Sequence, residues 1–203
     1  RGCSMPSAHC HAASQQHAVQ APRFNLQHPP QPLQPPPPFQ QEGVDKIAAL
    51  ADLPLEWHCI GPVQSNKTKL VAENFAWVHS IDRLKIAERL SAQRPANLPP
   101  LQVCLQVNTD AGPNKSGVHV SEVIELAKAV ALLPQLTLRG LMAIPEPYPS
   151  YQETLTSHLL LKAIFNDLNA QGFQLDTLSM GMSGDLEAAV HGGSTLVRVG
   201  SAI

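Results

Sequence analysis

Lysine, aspartate and glutamate are absent from the first 40 residues, where Arg1 and Arg23 are the only formal charges. Charge is sparse in the whole chain as well, at 15% of 203 residues with a net charge of −2. That balance removes the electrostatic motive for binding nucleic acid or an anionic membrane. No apolar run approaches the length of a membrane span, and no basic region precedes an apolar stretch at the N-terminus. The expectation is a soluble, cytoplasmic chain.

Cysteine is scarce: Cys3, Cys10, Cys59 and Cys104 are all there are. Cys59 and Cys104 sit in apolar runs, where a thiol behaves as a small buried hydrophobe rather than half of a disulfide. Cys3, His9, Cys10 and His11 match no standard zinc spacing. The sequence also has no Ser-His-Asp arrangement and no G-x-G-x-x-G turn after its first strand.

What is present falls into two unlike parts. Residues 1–40 hold nine prolines, and the run from Gln31 to Pro38 favours an extended polyproline conformation that cannot build a hydrogen-bond ladder. Disorder is the expectation for this segment, either as a ligand for a proline-binding module or as a tail without function. From Gln41 onward, strand-like and helix-like periods alternate. Helices are expected over Gly43–Leu53 (with Val44, Ile47, Leu50 and Ala51 on one face), 66–74, 82–93 capped by Asp82, 122–133, 151–170 and 185–191. Strands are expected at Trp57–Gly61, Ala76–Ile81, Leu101–Val107, Leu136–Ile144, Leu175–Met180 and Thr195–Val199.

Repeated βα units imply parallel strands with helical crossovers. Their number, without a dinucleotide-type glycine turn, favours a (β/α)8 TIM-type barrel over a doubly wound sheet. Six strands are recognisable, so the barrel is expected to be incomplete over 41–203, with two strands absent or replaced by residues 1–40.

In such barrels chemistry sits at the C-terminal ends of the strands, and phosphate is often held by the last two loops. Two stretches there can approach an anion closely: Gly181-Met182-Ser183-Gly184-Asp185 ahead of a helix, and Gly200-Ser201-Ala202. Plain turns are the competing reading. Arg198 is a charge inside Thr195–Val199, facing either a cofactor ring or an acid such as Asp185 or Glu187. Lys115, His58 and the stretch Gln64–Lys67 fall near the same rim.

Several strings resemble those of the YggS/PROSC family, which carries the alanine racemase N-terminal barrel. His58-Cys-Ile-Gly61-Pro-Val-Gln64-Ser-Asn66-Lys67 is similar to its H-x-I-G-x-L-Q-x-N-K. Ser80-Ile-Asp82, Lys115-Ser-Gly117, Arg139-Gly140-Leu-Met142, Leu178 to Asp185 and Val197 to Ser201 match further motifs in order. The resemblance implies a protein that binds pyridoxal 5′-phosphate (PLP) without a reaction of its own and takes part in vitamin B6 and amino-acid homeostasis. It implies Ser183, Gly200 and Ser201 at the phosphate, Met182 beside them, and Arg198 facing the pyridine nitrogen.

Family members place a Schiff-base lysine at the end of the first strand. Here the first lysine is Lys46, in a helix that matches a later part of the family. The resemblance therefore implies that residues 1–40 are a non-family segment, the product of a shifted frame or rearranged gene start. PLP would then be held weakly, with Lys115 as the one substitute anchor. A PLP-dependent racemase-like enzyme and a non-binding relic acting through its proline-rich arm are the alternatives. PLP and PLP-dependent client enzymes are the partners implied, with no metal.

Overall fold

A computed structural model describes residues 39–110 and 116–200. The proline-rich segment over 1–38, Cys3, Cys10, Lys115 and Ser201 lie outside the described residues, and so do the expectations attached to them.

The expected alternation of elements forms. In chain order the elements are α1 (Phe39–Ala49), β1 (His58–Cys59), α2 (Thr68–Asn74), β2 (Trp77–Ile81), α3 (Leu84–Gln93) and β3 (Leu101–Asn108). There follow β4 (Val118–His119), α4 (Val123–Ala131), β5 (Leu136–Met142), α5 (Tyr151–Ala170), β6 (Thr177–Ser179) and α6 (Leu186–His191). The sheet runs β1-β2-β3-β5-β6, with the short β4 paired to the end of β3. Every pairing is parallel. Sequential strands joined by helices lie side by side, so this is the curled sheet of a partial (β/α) barrel.

The two faces of that sheet have different chemistry because side chains alternate along each strand. Val78, Leu101, Val103, Leu105, Val107, Leu141 and Leu178 join Ile86, Leu90, Val130, Leu161 and Leu168 of the helices in the main core. The opposite face is the barrel interior. There Trp77, Cys104 and Met142 form a small separate apolar cluster with Ile60 and Ala76. Buried polar residues share the strand positions that alternate with the main core: His79, Gln106, Thr177 and Ser179. Both Cys59 and Cys104 are fully buried free thiols, as expected, and burial pushes each up to about 12.

Two irregularities adjust the alternation. The β2–β3 register shifts between Val78 and Ile81, and the β3–β5 register shifts between Val103 and Cys104. At the second shift β5 presses on β6 so closely that a Cβ on Gly140 would lie 1.7 Å from the Thr177 carbonyl oxygen. Only glycine allows that approach.

Some boundaries differ from expectation. Helix α1 starts at Phe39, and Leu50 and Ala51 fall past its end and are exposed, while Val44 and Ile47 pack on the core. Asp82 does not cap α3. The capping position is Arg83, without a side-chain bond, and the Asp82 carboxylate instead accepts from the Arg83 guanidinium at 3.0 Å. The stretch Thr195–Val199 forms one bridge, between Leu196 and Ser179, rather than a strand. Backbone bonds still join this stretch to 178–181, with Leu196 N donating to Leu178 O, Met180 N to Leu196 O and Arg198 N to Gly181 O. Side chains add to them, as Thr195 Oγ1 accepts from Leu178 N at 2.8 Å and Ser194 Oγ donates to Met180 O at 2.7 Å.

Candidate functional site

Past the C-terminal ends of β1, β5 and β6 the sheet opens into a cleft of about 820 Å³. Its walls are Ile60, Ile144, Leu196, Val197 and Val199, and its polar margin comprises His58, Ser183, Arg198 and the backbone at Gly184 and Gly200. The cleft brings together four of the five residues singled out in the sequence: Met182, Ser183, Arg198 and Gly200 all line it. The fifth, Ser201, is outside the described residues. Gln64–Lys67 does not reach the cleft. It makes the turn into α2, with Lys67 N donating to Gln64 O and Thr68 Oγ1 to Ser65 O.

Arg198 enters the interior rather than meeting an acid. Its Nη1 donates to the Ser179 carbonyl at 2.8 Å and to Ser179 Oγ at 2.9 Å, and its Nη2 donates to Ala143 O at 2.9 Å. The expected alternative of an ion pair with Asp185 or Glu187 is replaced by these bonds, in which the guanidinium meets the Ala143 carbonyl and adds to the Ala143 N–H that already reaches the Ser179 carbonyl at 3.3 Å. Arg198 Nε is buried and has no partner. Burial lowers the guanidinium's affinity for its proton, partly offset by the charge of Asp185, yet an arginine remains charged at neutral pH.

Ser179 connects Arg198 to two histidines. Ser179 Oγ lies 2.9 Å from His79 Nδ1, and His79 Nε2 lies 2.8 Å from His58 Nδ1. His58 stacks on Trp77 with 5.1 Å between ring centroids and borders the cleft. Desolvation holds His79 down to about 3, with the His58 and Arg198 charges acting in the same direction. Desolvation likewise lowers His58, against the opposing pull of Glu56. Both rings are neutral at pH 7.

The loop from Gly181 to Asp185 is fixed from behind. Gly181 has φ +97°, and a Cβ there would stand 2.5 Å from Ala189 Cβ, so both backbone and packing require glycine. Asp185 Oδ1 accepts from Met182 N at 2.6 Å, and Asp185 Oδ2 pairs with His158 Nε2 at 3.0 Å. His158 comes from α5 and is 1% exposed. The Met182 amide is thereby used within the loop. Gly184 and Gly200 have nothing within 4 Å of where a Cβ would be, which leaves room for an oxyanion to approach the backbone.

Ser179, His79, His158 and the bridging role of Asp185 were not singled out in the sequence. The available signal was a histidine and a serine inside runs that are otherwise apolar, Trp77–Ile81 and Leu175–Met180. The arrangement as a whole suits a planar ring between aliphatic walls, carrying an acceptor atom for Arg198 and an anionic arm for the Ser183–Gly184 and Gly200 backbones.

Among the described residues no helix is long and apolar enough to cross a membrane. The profile of the family described as alanine racemase, N-terminal domain, matches residues 41–203. A pyridoxal phosphate homeostasis protein of Vibrio cholerae is 56% identical over 169 residues, which is 81% of this chain and 72% of that protein. PipY of Synechococcus elongatus, solved with PLP bound, is 35% identical with a TM-score of 0.73, covering 80% of this chain and 76% of PipY. An alanine racemase of Clostridium difficile aligns over 79% of this chain and 42% of its own, at 14% identity and a TM-score of 0.66, which is a likeness of fold.

Proposed function

The chain belongs to the alanine racemase N-terminal domain family, in its YggS/PROSC branch, and from that membership we propose that it binds PLP in the cleft between His58 and Arg198 and serves PLP homeostasis. One observation carries the reading: Arg198 lines the cleft with its guanidinium fixed by three hydrogen bonds to Ser179 and Ala143. A guanidinium held in place at the wall of an aliphatic cleft suits a planar ring that carries an acceptor atom, through a charge-assisted hydrogen bond. The relatives' names and the PLP-bound PipY support the same ligand.

Within this reading Ser183, Gly200 and Ser201 hold the phosphate, Met182 borders it, and Ile60 and Ile144 cover the ring. When bound, the cofactor supplies an electrophilic aldehyde on an electron-withdrawing ring. Arg198 opposes protonation of the ring nitrogen, because a second positive charge beside a guanidinium is disfavoured. That weakens the ring as an electron sink and suits a protein that holds the cofactor without turnover. In this reading the binding is reversible, held by phosphate and ring contacts. The reading places the protein in the cytoplasm with PLP-dependent enzymes as its clients.

Titration of the full chain with PLP, followed by fluorescence or calorimetry, tests this. Saturable one-to-one binding is expected, weakened about tenfold or more in Arg198→Ala through loss of a charge-assisted bond. Borohydride treatment of the complex, with mass mapping, should leave the cleft unlabelled, whereas a label confined to Lys115 would overturn reversible holding in favour of a new anchor. Absence of saturable binding would overturn the cofactor assignment itself.

A further inference from the structure

Ser179 Oγ accepts a hydrogen bond from Arg198 Nη1 at 2.9 Å, and arginine has no acceptor to offer in return. The serine proton is therefore available to His79 Nδ1, 2.9 Å away. A neutral His79 that accepts at Nδ1 must carry its proton on Nε2, which faces His58 Nδ1 at 2.8 Å. His58 then accepts at Nδ1 and carries its own proton on Nε2, toward Glu56 Oε2 at 3.6 Å. Each group donates once in the same direction along the line from Arg198 to the cleft edge. This ordering holds only while both rings are neutral.

We propose that Ser179, His79 and His58 form a positioning relay for Arg198, holding its guanidinium in place for a ring nitrogen in the cleft, and that this order is set by the protonation of His58. The proposal rests on the PLP reading above. It adds Ser179 and His79, which act on the cofactor only through Arg198, with His58 as the point where the cleft reaches the relay.

A proton taken up at His58 Nδ1 would set N–H against N–H at His79. His79 could answer only by moving its own proton to Nδ1. Ser179 Oγ would then receive from both His79 and Arg198, and its hydroxyl proton would lose its acceptor. The groups that face the relay are Glu56, which favours protonation of His58, and Arg198, which opposes protonation of His79. Trp77 supplies only a stacked face to His58. Acid at the cleft edge is thereby transmitted to a guanidinium with which His58 shares no direct bond.

The test uses the full chain and pyridoxine 5′-phosphate, which keeps the ring nitrogen and phosphate but has no aldehyde. Wild type should bind it, with affinity falling as His58 takes up a proton. Ser179→Ala and His79→Phe should each weaken binding about tenfold and flatten that pH profile, while His79→Gln, which retains a donor and an acceptor, recovers part of both. Wild-type binding with unchanged affinity and pH profile in Ser179→Ala and His79→Phe would overturn the relay and leave the cofactor reading standing. No wild-type binding at all would overturn both. Should a variant fail to fold, nitrogen-15 NMR of the unliganded wild type decides: His79 protonated on Nε2 supports the relay, and protonation on Nδ1 overturns it.

Discussion

At single positions, the site depends on backbone geometry as much as on functional groups. Gly181 turns the chain out of β6 with φ +97° while Ala189 of α6 occupies the space a side chain would need. Gly181→Ala meets both obstacles, a left-handed backbone and a 2.5 Å approach, and should lose about 1–3 kcal/mol of stability. A urea midpoint lowered with an unchanged slope checks this, and PLP binding should weaken in step because Met182 and Ser183 follow directly. The sequence pointed to Gly181 through its string and to Arg198 as a charge in an apolar run. It could not supply the partners of Arg198, since Ser179 and Ala143 lie 19 and 55 residues away and only the sheet brings them within reach.

Between elements, α5 and α6 meet at His158, whose ring is buried with Nδ1 unpartnered and Nε2 on Asp185. The same carboxylate steadies the loop through Met182 N. Asp185→Ala removes both bonds and leaves the His158 ring without any polar partner. A loss of about 2–3 kcal/mol is expected, with PLP affinity reduced and the hydrogen exchange of the Met182 amide accelerated. Elements with long periodic patterns were legible: α5 has the expected bounds of 151–170 and β3 extends the expected strand by one residue. Those fixed by distant partners were not. Thr195–Val199 has strand-like composition and keeps backbone bonds to 178–181, but Leu178 N turns to Thr195 Oγ1 and only one regular bridge, Ser179 to Leu196, forms. Asp82 failed as a cap because Arg83 lies close enough to take its carboxylate.

For the molecule as a whole, the interior face is where acid should act. His79 is fully buried and held near 3, against an ordinary value of 6.5. Its folded-state pKa is depressed, so the unfolded chain binds the extra proton first. The stability gained from a neutral His79 is complete above about pH 6.5 and is lost as pH falls from there toward about 3. The slope for one proton is at most about 1.4 kcal/mol per pH unit. Urea unfolding across that window should show a slope in wild type that is shallower in His79→Phe by up to that amount. The parallel barrel order was legible from alternating periods because burial on the helix side imposes apolar residues at every second position. The polar inner positions carried no comparable rule, and their pairing depends on strand neighbours.

The one-residue slips against β3 divide β2 and β5 each into two independently phased halves, while β3 keeps one phase from Leu101 to Val107. Upstream of a slip, odd and even positions are committed to shell or lumen by the helices packed behind them. Downstream, the parity is dealt afresh, which is how Leu141 joins the same shell as Leu136 and Leu138. The rim of the barrel can therefore accept new side chains facing its ligand while the base retains its pattern, so that variation in what is held need not disturb what folds.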